Sequence, residues 1–89
     1  MVVIITYIPS NSSERNEQLL RRVKQYNTWA ILNATNYIVK VKGKTVTDIR
    51  DELAEFLQPK DKLMVSELSG NAAWRGFGMD ISDWLKKHL

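Results

Sequence analysis

The chain contains no cysteine, which removes disulfide staples and cysteine-based zinc ligation. That composition fits a reducing compartment. Its single histidine, His88, stands next to the last residue. One imidazole there builds neither a Ser–His–Asp constellation nor a histidine-based metal site, so histidine-dependent hydrolysis is excluded; its simplest role is a favourable charge at a helix C-terminus. Long apolar runs are also missing. The longest, Val2 to Ile5, is far too short to cross a bilayer, and the first residues lack the basic start and small-residue cleavage site of a secretory signal. A cytoplasmic protein with no membrane association is therefore expected. With only four glycines and two prolines there is no linker-like or low-complexity stretch, and no internal repeat.

What is present is ordinary for a small globular domain: 44% hydrophobic and 26% charged residues, with a net charge of +3. That mild excess permits contact with nucleic acid without arguing for it. The 89 residues form one domain, 1–89, close to the size at which a core becomes thin, burying roughly 60–65% of the surface its unfolded form exposes. Oligomerisation is a common supplement at this size.

Val2-Val3-Ile4-Ile5-Thr6-Tyr7-Ile8 is β-branched and aromatic almost throughout and reads as a strand buried on both faces, stopped by Pro9. Ser10 to Ser13 supplies N-cap candidates for a helix over Glu14 to Gln25, whose Leu19, Leu20, Val23 and Tyr26 share one face. Trp29–Leu32 and Tyr37–Val41 read as a hairpin with a four-residue connection. In the second run Tyr37, Val39 and Val41 alternate with Ile38, Lys40 and Lys42. Thr45 or Thr47 caps a second helix carrying Val46, Ile49, Leu53, Phe56 and Leu57, closed by Pro59. Lys62–Leu68 is a fourth strand, with Glu67 either facing the helices alongside Leu63 and Val65 or leaving the edge strand to solvent. Ser82 is the expected cap of a last short helix, Asp83–Leu89, with Trp84, Leu85 and His88 on one side.

The order βαββαβ predicts an α+β, ferredoxin-like sandwich with a short C-terminal extension and terminal helix. Its first and third strands should be central and its second and fourth should be edges, which must be paired or covered.

Candidate chemistry is sparse. The carboxylates show no metal-ligand spacing, and Asp48, Asp51, Glu52 and Glu55 read as a solvated helix face with Arg50 among them. Arg21, Arg22 and Lys24 on the first helix, with Lys40, Lys42 and Lys44 on and after the third strand, are the candidate contacts to nucleic-acid phosphates. The competing reading is a set of solvated cations. Sheet-based RNA readers stack bases on exposed aromatics, yet this face presents Ile38 and turns its tyrosine away. The segment Ala72-Ala73-Trp74-Arg75-Gly76-Phe77-Gly78 uses unusually informative residues on a connection. Trp74, Arg75, Phe77 and Trp84 are read either as anchors that cap the core or as interface hot spots.

Taken together, the strand ending in Tyr7, Trp29 opening the hairpin, Asp48-Ile49-Arg50-Asp51-Glu52-Leu53, Asp61-Lys62-Leu63-Met64-Val65, Ala72-Ala73-Trp74-Arg75-Gly76-Phe77 and Trp84-Leu85-Lys86-Lys87-His88-Leu89 form a pattern. It resembles small bacterial proteins labelled SinR-like, themselves similar to the CRISPR-associated Cas-two family, over nearly the whole chain. The strand-rich pattern does not match a helix-turn-helix regulator. The resemblance implies a homodimer joined by sheet edges and C-terminal segments, and association with nucleic acid. It also implies metal-dependent nuclease activity in members with an Asp at the end of the first strand. Here Ile8 follows Tyr7, and a hydrocarbon side chain cannot ligate a hard cation. The expectation is a homodimeric binding protein with no catalytic or metal residues and no cofactor, contacting nucleic acid. The alternative is a protein-interaction scaffold with no nucleic-acid role, and a nuclease is disfavoured.

Overall fold

The computed structural model describes residues 1–10 and 16–89. Seven elements follow one another: β1 (Val2–Ile8), α1 (Glu17–Val23), β2 (Thr28–Asn33), β3 (Asn36–Lys40), α2 (Val46–Ala54), β4 (Lys62–Leu68) and α3 (Met79–His88). The strands form one antiparallel sheet in the order β2-β3-β1-β4. This is the ferredoxin-like α+β arrangement, with β1 and β3 central and β2 and β4 at the edges.

The pleat separates the residues of β1 onto two faces, and both are covered. Val3, Ile5 and Tyr7 join Tyr37, Val39 and Val41 in a core closed by Leu19, Leu20, Val23 and Tyr26 from α1 and its exit, and by Ile49 and Leu53 from α2. Val2 and Ile38, on the other face, pack with Leu85 of α3, and Ile4, Leu32, Leu68, Trp74, Ile81, Trp84 and Leu89 close around them. Hydrophobicity on both faces of β1 is thus matched by helices on both sides. Val3, Ile5, Val39, Ile49 and Leu53 are completely removed from solvent.

Local chemistry sets the element ends. The expected first helix begins later: Asn16 is its N-cap, with Oδ1 accepting the Leu19 amide at 2.9 Å. The anticipated start at Glu14 and the candidates Asn11 to Ser13 lie outside the described residues. The helix also ends earlier, because Gln25 and Tyr26 amides reach back three residues, to the carbonyls of Arg22 and Val23. This tightened turn inserts Tyr26 into the core. The hairpin is shorter than expected. Asn33 and Asn36 are paired strand residues, and Asn33 Oδ1 receives the Thr35 amide at 2.9 Å, so the turn proper is Ala34-Thr35.

In α2, Thr45 and Asp48 form a reciprocal capping box. Pro59 does not close this helix, which ends at Ala54. The Phe56 and Leu57 amides bond to Leu53 and Ala54 carbonyls, so the chain tightens and folds both side chains inward before proline is reached. The last helix starts four residues before the expected position, with Gly78 rather than Ser82 as its N-cap. The Ser82 hydroxyl instead accepts the Trp74 indole N–H at 2.9 Å. The segment leading into α3 turns at Gly76, whose φ of +92° suits a residue without Cβ.

Candidate nucleic-acid interface

Arg22, Gln25, Tyr26, Asn27, Val41, Lys42 and Lys44 line a concavity of about 340 Å³ between the exit of α1 and the β3–α2 connection. Three of the six candidate cations therefore meet in one place. The helical exit delivers Arg22, and the chain leaving β3 delivers Lys42 and Lys44. The Arg22 guanidinium carbon lies 4.7 Å from the Tyr26 ring centroid, within cation–π range.

Glu52 organises the wall of this concavity. Its Oε1 accepts the Tyr26 hydroxyl at 2.7 Å and Arg22 Nη2 at 3.0 Å, and its Oε2 accepts Lys44 Nζ. These bonds, led by the one from Lys44, hold the carboxyl below the usual carboxylate range. Burial and the bond to Glu52 push the Tyr26 phenol well above its ordinary value. Glu52 is therefore not part of a solvated helix face, as its spacing suggested. Its neighbour Asp51 does remain there, pairing with Arg50 at 2.9 Å. Lys42 makes no ion pair among the described residues. Three cations against one carboxylate leave the concavity positive.

The other three candidates are dispersed. Arg21 lines a neighbouring shallow hollow with Gln18, Arg22, Gln25 and Phe56. Lys24 places its ammonium 5.2 Å from the Trp29 ring centroid. Lys40 lies on the opposite face of the sheet: it pairs in register with Val2 and Thr28, and its charge acts on His88 of α3. Alternate lysines along β3 do not form the phosphate-binding stripe that the pattern suggested. The face on which they would do so is occupied by α3.

Trp74 and Trp84 serve that covering. Trp74 bonds Ser82, and Trp84 donates its indole N–H to Thr28 Oγ1 at 2.9 Å while packing, tilted by 45°, against the His88 ring at 4.6 Å. Among the described residues, Nδ1 of His88 is buried without a hydrogen-bond partner. Burial first, then the charges of Lys40 and Lys87, lower the pKa of His88. Arg75 and Phe77 remain exposed, Phe77 at 37%.

At the end of β1, Ile8 is 54% exposed and lines an open hollow with Pro9, Ser10, Pro59, Lys60, Asp61 and Lys62. Asp61, the carboxylate there, accepts the Ser10 amide at 2.7 Å, the Gln58 amide at 2.8 Å and the Tyr7 hydroxyl at 3.2 Å. The two backbone amides lower its pKa most. It braces the α2–β4 turn against the end of β1. Among the described residues, no three His, Asp or Glu side chains are grouped to hold a metal ion. No helix there is long and apolar enough to cross a membrane.

Tyr26, Glu52, Gln25 and Asn27 were not anticipated as site residues. Tyr26 carried the signature of a core position and Glu52 that of a solvated helix surface; no local signal links residues 26 positions apart. No protein-family model matches the chain, and no curated protein matches it.

Proposed function

We propose that this protein is a non-catalytic binding protein that contacts the phosphate backbone of nucleic acid through Arg22, Lys42 and Lys44, and that it works as a homodimer. The observation that carries this reading is the convergence of these three cations on one concavity, supported by the amide side chains of Gln25 and Asn27. Phosphate contacts of this kind position a protein on a strand without reading its sequence. The α3 side of the sheet is covered by α3, and the exposed Trp29 on the other face has the Lys24 ammonium over its ring, so contact through charge is favoured over contact through bases. The resemblance to Cas-two proteins points the same way. The residue at its nuclease position, Ile8, offers no oxygen ligand.

Binding of mixed-sequence DNA and RNA, followed by fluorescence anisotropy across a salt series, tests the reading. Affinity should fall steeply between about 50 and 200 mM salt, and Lys42→Ala should weaken binding uniformly across sequences. Absence of binding even at about 50 mM salt removes the nucleic-acid function. The dimer is tested by light scattering on a sizing column, where a monomer at micromolar concentration contradicts it.

A second reading is a protein-interaction scaffold without a nucleic-acid role. It is favoured by the exposure of Phe77 at 37% and Met79 at 80% beside Arg75, because aromatic and arginine side chains are frequent interface anchors. In that case Phe77→Ala disrupts assembly while Lys42→Glu leaves function intact.

A further inference from the structure

We propose that Glu52 is a built-in competitor for the phosphate: its carboxylate occupies the donors that an incoming phosphodiester would use, and binding requires Arg22 and Lys44 to exchange that carboxylate for phosphate oxygens. This inference rests on the phosphate-binding reading above and concerns how that site is regulated.

Glu52 sits as a bound anion would. One oxygen takes Arg22 Nη2 at 3.0 Å and the Tyr26 hydroxyl at 2.7 Å, and the other takes Lys44 Nζ. Arg22 and Lys44 both line the concavity, whereas Glu52 is not among its lining residues. The carboxylate therefore pulls two of the three cations against the α2 wall, and Lys42 is the lining cation without an ion pair among the described residues. A phosphodiester entering beside Lys42 meets the same guanidinium and ammonium groups from the solvent side. It offers them two anionic oxygens in place of two carboxylate oxygens.

The exchange is close to balanced, and that is what makes it a control. The Arg22 and Glu52 side chains keep 23% and 26% exposure, and Lys44 keeps 38%. Partly solvated pairs of this sort are weak and salt-screened. A single phosphate gains little by breaking them, but a polyanion that brings several phosphates gains counterion release with each cation it takes over. The arrangement thus discriminates against isolated small anions and in favour of a continuous backbone. Tyr26 keeps Glu52 in place in the free state, and its hydroxyl remains a donor to the carboxylate after the cations have turned outward.

The decisive measurement compares Glu52→Gln with Asp51→Asn. Both remove one negative charge from α2, but among the described residues the Asp51 carboxylate pairs only with the exposed Arg50. With a labelled mixed-sequence duplex of about 20 base pairs at about 50 mM salt, Glu52→Gln should bind about tenfold tighter, and its salt slope should steepen by about 0.9 for each cation released. Asp51→Asn should change affinity by less than about twofold. Glu52→Asp retains the charge but withdraws it by one methylene, and should fall between wild type and Glu52→Gln. Equal tightening by Glu52→Gln and Asp51→Asn overturns the proposal, since bulk charge would then explain both. If Glu52→Gln binds no tighter while Lys42→Ala still weakens binding, the competitor role fails and the phosphate site survives. If Lys42→Ala has no effect, the site reading fails and the competitor role fails with it.

Discussion

Replacing Leu85 by alanine tests whether α3 is an integral part of this fold. Leu85 is 2% exposed and packs on Val2 and Ile38 at the centre of the second apolar cluster. Truncating a buried leucine costs about 2–5 kcal/mol through lost transfer energy and the cavity left behind. α3 has only ten residues, too few to persist without docking, so the cavity cannot be relieved by the helix standing alone. A domain of this length has a total stability of about 4–13 kcal/mol, and a loss of 2–4 kcal/mol lowers the melting midpoint by roughly 10–25 °C. Circular dichroism on heating and urea titration would measure it. Two of the three tryptophans, Trp74 and Trp84, report on the same contact, because their indole N–H groups bond Ser82 and Thr28. Their emission should shift to the red as the helix loosens. Lys86→Ala, on the exposed side of the same helix, serves as the control and should stay within about 0.5 kcal/mol. A Leu85→Ala loss below about 1 kcal/mol with unchanged emission would refute the reasoning. In that case α3 would not hold the sheet face closed, and the lysine-bearing face of β3 would again be open to ligands.

Three further predictions concern helix starts and pH. Thr45→Ala removes half of the capping box on α2 and should cost about 1 kcal/mol in chemical denaturation. Asn16→Ala should cost somewhat more, about 1–2 kcal/mol, since Asn16 also donates through Nδ2 to the Phe56 carbonyl at 2.7 Å and so ties α1 to the end of α2. Stability should decline on acidification in two stages. The pKa of His88 is lowered in the folded chain from its ordinary value of 6.5, so the unfolded chain binds the proton first and stability begins to fall below that pH. The carboxyls of Glu52 and Asp61 are likewise lowered, from 4.5 and 3.8; their contribution is present above those values and is lost as pH falls through the folded-state pKa of each. His88→Phe should remove the first stage and leave the second. A melting temperature in wild type that rises on acidification from about pH 7 to about pH 5 would contradict this sign.

The apolar alternation and the capping residues made the sheet legible. Val2 to Ile8 has no polar face, which requires cover on both sides, and β4 from Lys62 to Leu68 matches its expected bounds. Errors gathered at helix ends. Tightened turns after Val23 and Ala54 depend on where Tyr26, Phe56 and Leu57 find space in the core, and that space exists only after the sheet is assembled. Ser82 resembled a cap, but the hydroxyl faces Trp74, and a glycine begins the helix instead.

Element order and the central position of β1 were legible in the chain alone, because both follow from local composition and periodicity. Tertiary structure alone decided what the charges do. It separated Lys40 from Lys42 across the sheet, joined Arg22 to Lys44 through a carboxylate that sequence spacing assigned to solvent, and directed Trp74 and Trp84 into the chain's own packing. Electrostatic partners are set by distance in space. Arg22 and Glu52 are thirty residues apart in sequence yet 3.0 Å apart in the fold, a proximity that only the docking of α1 beside α2 on one sheet face creates.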